Sequence, residues 1–439
     1  MSGLELGLVS LAAVLALIAL RVPIGVALAG VSFLGFWHLR NLNVALSMVR
    51  EVPHGFASSW DLSAIPMFLL MGAIANASGI AAALFSAARI WLAGLPGGLA
   101  VAANLACAGF AAACGSSVAA AAAMARLAVP EMLRAGYEKG LAAGVVASAG
   151  TIAALIPPSI LLVLFGVFAE VSIVDLLIGG VVPGLITAAV YTAMILLRCR
   201  LDRSLAPRPD PAAIAALGAA RWRALAEVWP LVLLIGGIIG GLYSGMVSPT
   251  EAGAAGAFLA LVIAVAQRRM TMGRMVEALA EGMGTTAQIF FVGMGAVMFT
   301  RFLSLTGTSA ALADLVAPLA LDPVLIVIAM SVVYLVLGMF LDPIGIMLIT
   351  LPVFLPLLKT LQMDLVWFGV LVVKYIEIGM LTPPLGFNLF VVKSVVGGEI
   401  SLERIFRGVG WFLVCDLVVV ALMILFPDLV TFLPGLMRG

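Results

Sequence analysis

Two proline pairs at matching positions in the two halves of the chain constrain its fold more than any other feature. Pro157-Pro158 and Pro383-Pro384 are the only Pro-Pro pairs in the sequence, and they lie 226 residues apart. Each pair begins 41 residues after a polar residue in an apolar stretch, Ser116 in the first half and Asp342 in the second. Two successive prolines remove two amide donors and bar the preceding residue from helical conformation. Each half is therefore predicted to contain a broken helix.

The chain is apolar enough to lie mostly within a membrane. Hydrophobic residues occupy 64% of its 439 positions, charged residues only 10%, and the mean hydropathy is +1.24, well outside the range of soluble domains. Segments of about 17 to 25 apolar residues can cross a bilayer as helices. Segments that roughly fit are 4–20, 23–39, 64–78, 173–197, 229–243, 253–266, 287–303, 324–340 and 405–426. We therefore predict an all-α polytopic membrane protein, in which 4–20 is a retained first span rather than a cleaved signal.

Two apolar regions, 99–158 and 337–390, do not fit simple crossing helices. In each, the polar residue is followed 14 positions later by a proline, Pro130 or Pro356, and then by the Pro-Pro pair. Duplicated broken segments mark binding sites in transporters with repeated halves, because freed carbonyls and amides can bind solute. We predict a first repeat at 1–197, with a hairpin at 97–130 and a broken helix at 140–170. The second repeat, at 226–439, is predicted to have its hairpin at 324–358 and its broken helix at 365–395.

A basic linker, 198–225, separates the two predicted repeats. It holds two aspartates and six arginines, namely Arg198, Arg200, Arg203, Arg208, Arg221 and Arg223. By the positive-inside rule this linker faces the cytoplasm. If each repeat crosses the membrane an odd number of times, the two repeats are inverted relative to one another.

The predicted hairpin tips carry the polar groups of each half. Gly115, Ser116 and Ser117 would expose hydroxyls and amides at the first tip, although the alanine-rich sequence around them also fits close helix packing alone. Asp342 is the counterpart of Ser116 in the second half. A carboxylate in an apolar run costs roughly 2.5 to 3.5 kcal/mol to insert, so it should be partnered or functional. The alternative for Asp342 is an ordinary helix cap that faces water.

The two Pro-Pro breaks are the other source of ligand oxygens. Carbonyls before Pro157-Pro158 lose their helical partners, and the hydroxyls of Thr151 and Ser159 would complete an oxygen shell for a hard monovalent cation such as sodium. Thr382 and Asn388 add oxygens near the second break. The alternative is a proline kink whose freed groups are satisfied by neighbouring helices.

Three further charged residues lie in apolar segments, Arg301, Lys374 and Glu377. Lys374 and Glu377 are three residues apart on one helix face, so mutual neutralisation is the simpler interpretation. Arg301 has no such neighbour. It is expected either to reach a membrane headgroup or to contact a substrate carboxylate.

Other residues exclude several functions. A net charge of +1 without long charged runs gives no reason to expect a nucleic-acid partner. The sequence has no GxxxxGK[ST] loop, so the chain is not itself an ATPase. The cysteines and histidines form no metal-binding or catalytic spacing and are interpreted as packing thiols and membrane-edge side chains. They are Cys107, Cys114, Cys199, Cys415, His38 and His54.

Five stretches, taken in this order, resemble the large membrane (permease) subunit of the tripartite ATP-independent periplasmic (TRAP) transporters. They are GSSVA at 115–119, LAVPEM at 127–132 followed by Gly136 and Tyr137, IPPS at 156–159, SPTEA at 248–252 and EIGMLTPPLGFNLF at 377–390. The resemblance spans nearly the whole chain, and the combination is far more specific than any single stretch.

The resemblance implies an elevator-type mechanism in the bacterial cytoplasmic (inner) membrane, in which both hairpins and both broken helices move against a fixed scaffold. It implies sodium as the coupling ion with no other cofactor, and uptake of a small organic anion such as a C4-dicarboxylate, a sialic acid or a sugar acid. The implied partners are a small four-helix membrane subunit and a soluble periplasmic solute-binding protein. The implied sodium and substrate residues are Gly115, Ser116, Ser117, Thr151, Pro157, Pro158, Ser159, Asp342, Thr382, Pro383, Pro384, Gly386 and Asn388. Lys374 departs from the neutral residue that the family pattern implies, which bears on local charge balance.

Rival functions remain on the sequence alone. A stand-alone sodium/divalent-anion symporter would share the duplicated hairpins but need no binding protein. An intramembrane enzyme would need a base beside Ser116 or Ser117, and the sequence shows no buried histidine or well-placed lysine for that role. A channel would use the hairpins as filter loops. The chain is therefore expected to be a carrier and not an enzyme.

Overall fold

The computed structural model describes residues 3–209, 211, 217–308, 311, 314 and 322–438, and within these ranges it is helical with no β-strand. The first half contains α1 (Gly3–Ala19), α2 (Ile24–Leu39), α3 (Leu42–Ala57), α4 (Ala64–Ala77), α5 (Ile80–Leu92), α6 (Gly98–Cys114), α7 (Ser117–Arg134), α8 (Lys139–Gly150), α9 (Ile160–Ala169) and α10 (Ile173–Leu201). The second half contains α11 (Gly218–Ala226), α12 (Trp229–Tyr243), α13 (Pro249–Ala266), α14 (Met272–Thr306), α15 (Pro323–Gly338), α16 (Pro343–Thr360), α17 (Leu365–Gly379), α18 (Phe387–Val396), α19 (Leu402–Leu425) and α20 (Asp428–Arg438). Short 3-10 segments lie at Asp61–Ser63, Thr151–Ala154 and Gly397–Glu399.

The prediction of an all-α polytopic membrane protein is confirmed. In the described part of the chain, six helical segments are long and apolar enough to cross a membrane, or up to seven if one bent pair counts as a span. The predicted span 287–303 is part of a much longer helix, the 35-residue α14. Other predicted spans, such as 4–20 and 324–340, form shorter apolar helices of 10 to 17 residues.

Both Pro-Pro pairs interrupt helices. The first pair lies between the Thr151–Ala154 segment and α9, and the second lies between α17 and α18. Both Pro-Pro peptide bonds are cis. The two breaks therefore lie where the sequence predicted them.

The helix bounds in the two halves match at the offset found between the prolines. α7 and α16 both have 18 residues, and their first and last residues differ by 226. The bounds of α9 and α18 agree with the same offset to within one residue. The division into two repeats, and their inversion, stay predictions, which these matched bounds support.

One region departs from this match. α3 and α4 are separate helices whose axes bend by 62°, whereas the corresponding residues of the second half lie in the continuous helix α14. Pro53 and Pro66 lie on either side of the bend, and α14 contains no proline. Proline removes a helical hydrogen bond and clashes with the preceding turn. The two prolines therefore account for a bend that is present in the first half and absent from the second.

Glycine allows α8 and α19 to cross with their backbones in contact. Gly140 and Gly144 are four residues apart on α8, and both lie against Gly408 of α19. A Cβ on Gly144 would lie 2.7 Å from the carbonyl carbon of Gly408, and one on Gly408 would overlap the carbonyl oxygen of Gly140. Small residues at this spacing let membrane helices approach closely. The crossing ties the first broken helix to a helix that begins more than 200 residues later.

We predict that Gly408→Val destabilises the protein by about 1 to 3 kcal/mol, the usual range for overpacking. The added side chain has to displace the backbone of Gly140. The matched control is Gly410→Val, two residues later on the same helix, where an added Cβ meets no atom of the described residues within 4 Å. Thermal unfolding in detergent measures both. Equal unfolding temperatures for the two variants would contradict the close crossing.

Candidate functional site

A cavity of about 650 Å³ lies where the turn between α6 and α7 faces the start of α16. Four of the predicted site residues line it, Gly115, Ser116, Ser117 and Asp342. The rest of the polar lining comes from α4, α7, α14 and α17, and consists of Asn76, Arg126, Glu281, Thr285, Gln288 and Glu377. A smaller cavity of about 110 Å³, between α5 and α12, contains none of the predicted residues. The larger cavity is therefore the candidate site.

The turn between α6 and α7, which is the predicted first hairpin tip, contacts the first Pro-Pro break directly. Gly115 ends α6 in the left-handed conformation, with φ of 66°. A Cβ at this position would overlap the carbonyl oxygen of Pro158, and the amide of Ile160 donates to the carbonyl oxygen of Gly115 at 3.4 Å. Only glycine fits both the conformation and the space without strain. The sequence predicted the tip and the Pro-Pro break in the same half of the chain but did not predict that the two are in direct contact, as the structure shows.

The hydroxyls of Thr151 and Ser159 are buried beside this break. Thr151 Oγ1 donates to the carbonyl oxygen of Ser148 at 2.6 Å. Ser159 Oγ donates to the carbonyl oxygen of Ala154 and accepts from the amide of Leu162 at 3.3 Å, which caps α9. Both hydroxyl protons are thus used locally, so these groups offer oxygen lone pairs rather than donors. Neither residue lines the cavity.

Ser116 and Asp342 occupy equivalent positions at the starts of α7 and α16. The amide of Ala119 donates to Ser116 Oγ at 3.4 Å. Asp342 Oδ1 accepts from the amides of Ile344 at 3.1 Å and Gly345 at 3.0 Å. Asp342 is therefore a helix cap, as one interpretation had it, and also part of the cavity wall. The two helix starts face one cavity, which allows both helix dipoles to act on a ligand there.

The second Pro-Pro break differs from the first in its surroundings. Pro383 and Pro384 are exposed, whereas Pro157 and Pro158 are buried. Thr382 Oγ1 donates back to the carbonyl oxygen of Ile378 at 2.7 Å. None of these residues lines the cavity.

Asn388 is the most informative residue after the second break. It is completely buried in the first turn of α18, which begins after Gly386, a residue with φ of 60°. Both its Oδ1 and its Nδ2 have no hydrogen-bond partner in the described part of the chain. Its neighbour Phe387 lines the cavity. A buried amide without partners is costly, so it is a place where a ligand is expected.

The structure changes one interpretation of the charged residues and places Arg301 away from the candidate cavity. Lys374 forms no salt bridge with Glu377 in the described part of the chain; its ammonium lies 2.6 Å from Asp416 Oδ1 on α19. Tyr191 also donates to Asp416 Oδ1, at 2.7 Å. Local spacing suggested the wrong pairing, since the true partner is 42 residues away in sequence. Arg301 is exposed on α14, 4.0 Å from Met48 Sδ, and does not line the cavity.

Sequence reasoning missed three charged residues of the cavity wall as site residues. Glu377 was interpreted only as a partner of Lys374, and its Oε1 in fact accepts from Ser117 Oγ at 2.9 Å. Arg126 and Glu281 were not singled out at all, although both are charged residues within largely apolar helices. That placement is the signal that could have identified them.

Comparison with known proteins agrees with the resemblance seen in the motifs. The model of the family described as "Tripartite ATP-independent periplasmic transporter, DctM component" matches residues 11–429. The chain is 35% identical over 380 residues to the C4-dicarboxylate TRAP transporter large permease protein DctM of Pseudomonas aeruginosa, covering 86% of this chain and 85% of that protein. It is 34% identical over 427 residues to the 2,3-diketo-L-gulonate TRAP transporter large permease protein YiaN of Escherichia coli, covering 96% and 97%. Among solved structures, its fold is similar to that of the Alcanivorax borkumensis YdaH transporter, with a TM-score of 0.59, 14% identity, and coverage of 87% and 88%.

We predict that Gly115→Ala impairs the protein more than Gly136→Ala does. Both glycines have positive φ, so both substitutions cost about 1 to 2 kcal/mol of backbone strain. At Gly115 the new methyl group also meets the Pro158 carbonyl, whereas at Gly136 an added Cβ meets nothing within 4 Å in the part of the chain that the structure describes. Thermal unfolding and substrate uptake measure the difference. Equal unfolding temperatures and equal uptake rates in the two variants would show that the contact between tip and break does not contribute to function.

Proposed function

Because this chain belongs to the DctM family of TRAP transporters, as the large permease subunit, we propose that it drives uptake of a small organic anion with a sodium gradient. It is a multi-pass protein of the cytoplasmic membrane and a transport subunit, not an enzyme. The two relatives described above are named for a C4-dicarboxylate and for 2,3-diketo-L-gulonate. Both are carboxylates, and they support the proposal of an organic anion from the dicarboxylate, sialic acid or sugar acid class.

The observation that carries the proposal is the meeting of two helix starts in one cavity. Helix starts present free amides and a partial positive charge, which suit a carboxylate. The start of α7 carries the neutral side chains of Ser116 and Ser117 and has no acidic residue in its first turn, so it is the better suited of the two helix starts to an anion. Arg126, on the same helix, can bind a carboxylate by two parallel hydrogen bonds.

The start of α16 is suited to the cation. Its cap, Asp342, already supplies a negative charge next to the helix dipole. Carboxylate, hydroxyl and amide oxygens are the ligands that hard cations prefer. We propose that sodium binds at the tips and breaks, with Asp342 and Asn388 among its ligands in the second half. Bound sodium would then offset the charge of the anion in the same cavity.

The cavity also supports the elevator mechanism. Its lining comes on one side from the tips and α17, and on the other from Asn76 of α4 and from Glu281, Thr285 and Gln288 of α14. In the proposed mechanism, the tips and broken helices form the moving body, and α4 and α14 belong to the fixed scaffold. A small four-helix subunit would stiffen that scaffold, and a periplasmic binding protein would deliver the substrate.

We expect uptake to require both a sodium gradient and the binding protein. The test uses proteoliposomes that contain this chain with the small subunit encoded beside it, and labelled ligand of the neighbouring binding protein. An inward sodium gradient should accelerate uptake only when that binding protein is present, because it delivers the substrate to the permease. Uptake at the same rate without it would instead favour a stand-alone symporter.

We predict that Asp342→Ala and Asn388→Ala each raise the sodium concentration needed for half-maximal uptake by about tenfold. Asp342→Ala removes a charged ligand of the ion, and Asn388→Ala removes a neutral one. Asn388→Ala should leave the thermal stability unchanged or higher, because it removes a buried amide without partners. The control for Asp342 is Asp322→Ala, which removes the cap of α15 but lies outside the cavity. A variant with unchanged sodium activation would be removed from the ligand set.

A further inference from the structure

Glu377 of α17 is buried with half of its carboxylate unused. The side chain is 1% exposed and lines the cavity. Its Oε1 accepts from Ser117 Oγ at the first hairpin tip, at 2.9 Å. Its Oε2 has no hydrogen-bond partner among the described residues. A buried acceptor that faces a cavity without a partner points to a bound group.

In the described part of the chain, no lysine or arginine forms a salt bridge with this carboxylate. Lys374, one turn earlier on α17, has its ammonium on Asp416 at 2.6 Å, with Thr187 Oγ1 at 3.4 Å. Arg126 shares the cavity but forms no ion pair with Glu377 within the described ranges. Lys374 thus forms its salt bridge with Asp416 of α19 and acts on Glu377 only as a nearby charge, which the Asp416 carboxylate opposes. Glu377 is a buried acid on the cavity wall without a salt-bridge partner among the described residues.

Neither protonation state satisfies Glu377 on its own. An ionised carboxylate without a counter-charge is expensive to bury. Protonation would remove the charge, but Oε2 would still lack a hydrogen-bond partner in the described part of the protein. A cation at Oε2 resolves both problems, because it supplies the charge and occupies the free lone pairs.

We propose that Glu377 Oε2 and Ser117 Oγ form a binding site for a monovalent cation on the cavity wall, which sodium fills during transport. This rests on the proposed sodium coupling and adds a carboxylate outside the ligand set predicted from the sequence. Ser117 donates its proton to Oε1 and keeps a lone pair for the ion. A single carboxylate matches a single positive charge, and the described residues hold no cluster of three His, Cys, Asp or Glu for a divalent or transition metal.

The site would couple the ion to the hairpin. Ser117 is the first residue of α7, immediately after the tip, and Glu377 lies near the end of α17, just before the second break. An ion held by both links the first-half tip to the second-half broken helix. Cation binding would then hold the tip against α17. The free amides at the start of α7 would thereby be in place when the anion binds.

The test measures binding of radiolabelled sodium to the purified full chain in nanodiscs, by scintillation proximity. Glu377→Gln should weaken sodium binding at least tenfold, Ser117→Ala several-fold, and Glu377→Asp less than the glutamine variant. The control is the double variant Lys374→Met with Asp416→Asn, which removes the neighbouring ion pair and should bind sodium within twofold of the original chain. Sodium should also raise the unfolding temperature of the original chain and the control, but not that of Glu377→Gln.

The outcomes separate this site from the proposed function. If the original chain binds sodium and Glu377→Gln binds it equally well, this site is refuted while sodium coupling stands. If the original chain binds no sodium and shows no sodium-driven uptake, the proposed function fails. Unchanged sodium affinity in Glu377→Gln with loss of coupled proton movement would make Glu377 a proton carrier and overturn the cation site. If Glu377→Gln does not fold, Ser117→Ala decides, and an unchanged affinity there also refutes the site.

Discussion

Two helix breaks inside an apolar environment free backbone amides and carbonyls that need hydrogen-bond partners. The arrangement of the whole molecule follows from which partners these groups have. At the first break, the amide of Ile160 donates to the carbonyl oxygen of Gly115, so hairpin tip and broken helix satisfy one another. At the second, the amide of Asn388 reaches back to the carbonyl oxygen of Met380. Since a membrane supplies no water to such groups, they persist only where they are buried in protein or line a cavity.

The charges are organised around the same breaks. α17 carries one buried lysine and one buried glutamate, and they serve different neighbours: Lys374 holds α17 to α19 through Asp416, and Glu377 faces the cavity beside Ser117. A buried ion pair is weak support for stability, but breaking one leaves an uncompensated charge. The pair therefore fixes the position of α17, and it leaves the neighbouring carboxylate available for an exchangeable ion. α17 therefore contributes both to helix packing, through Lys374, and to the proposed ion binding, through Glu377.

Much of this architecture could be predicted from spacing alone, because proline acts locally. The offset of 226 predicted both breaks and the correspondence of Ser116 with Asp342, which line one cavity in the structure. What spacing could not show were tertiary partners. Lys374 and Glu377 are three residues apart, yet their partners lie 42 and 260 residues away. The difference between a buried Pro157-Pro158 and an exposed Pro383-Pro384 also depends on which helices cover each break, and matching sequence in the two halves does not encode that.

The central claim is that the tips of both halves enclose one site for a cation and an anion together. The most direct measurement is a cryo-electron microscopy map of the assembled transporter in sodium with its substrate. The account predicts substrate density between the start of α7 and Arg126, with ion density within coordination distance of the tip and break residues. Substrate density outside this cavity, with the space between Ser117 and Asp342 filled by side chains, would contradict it.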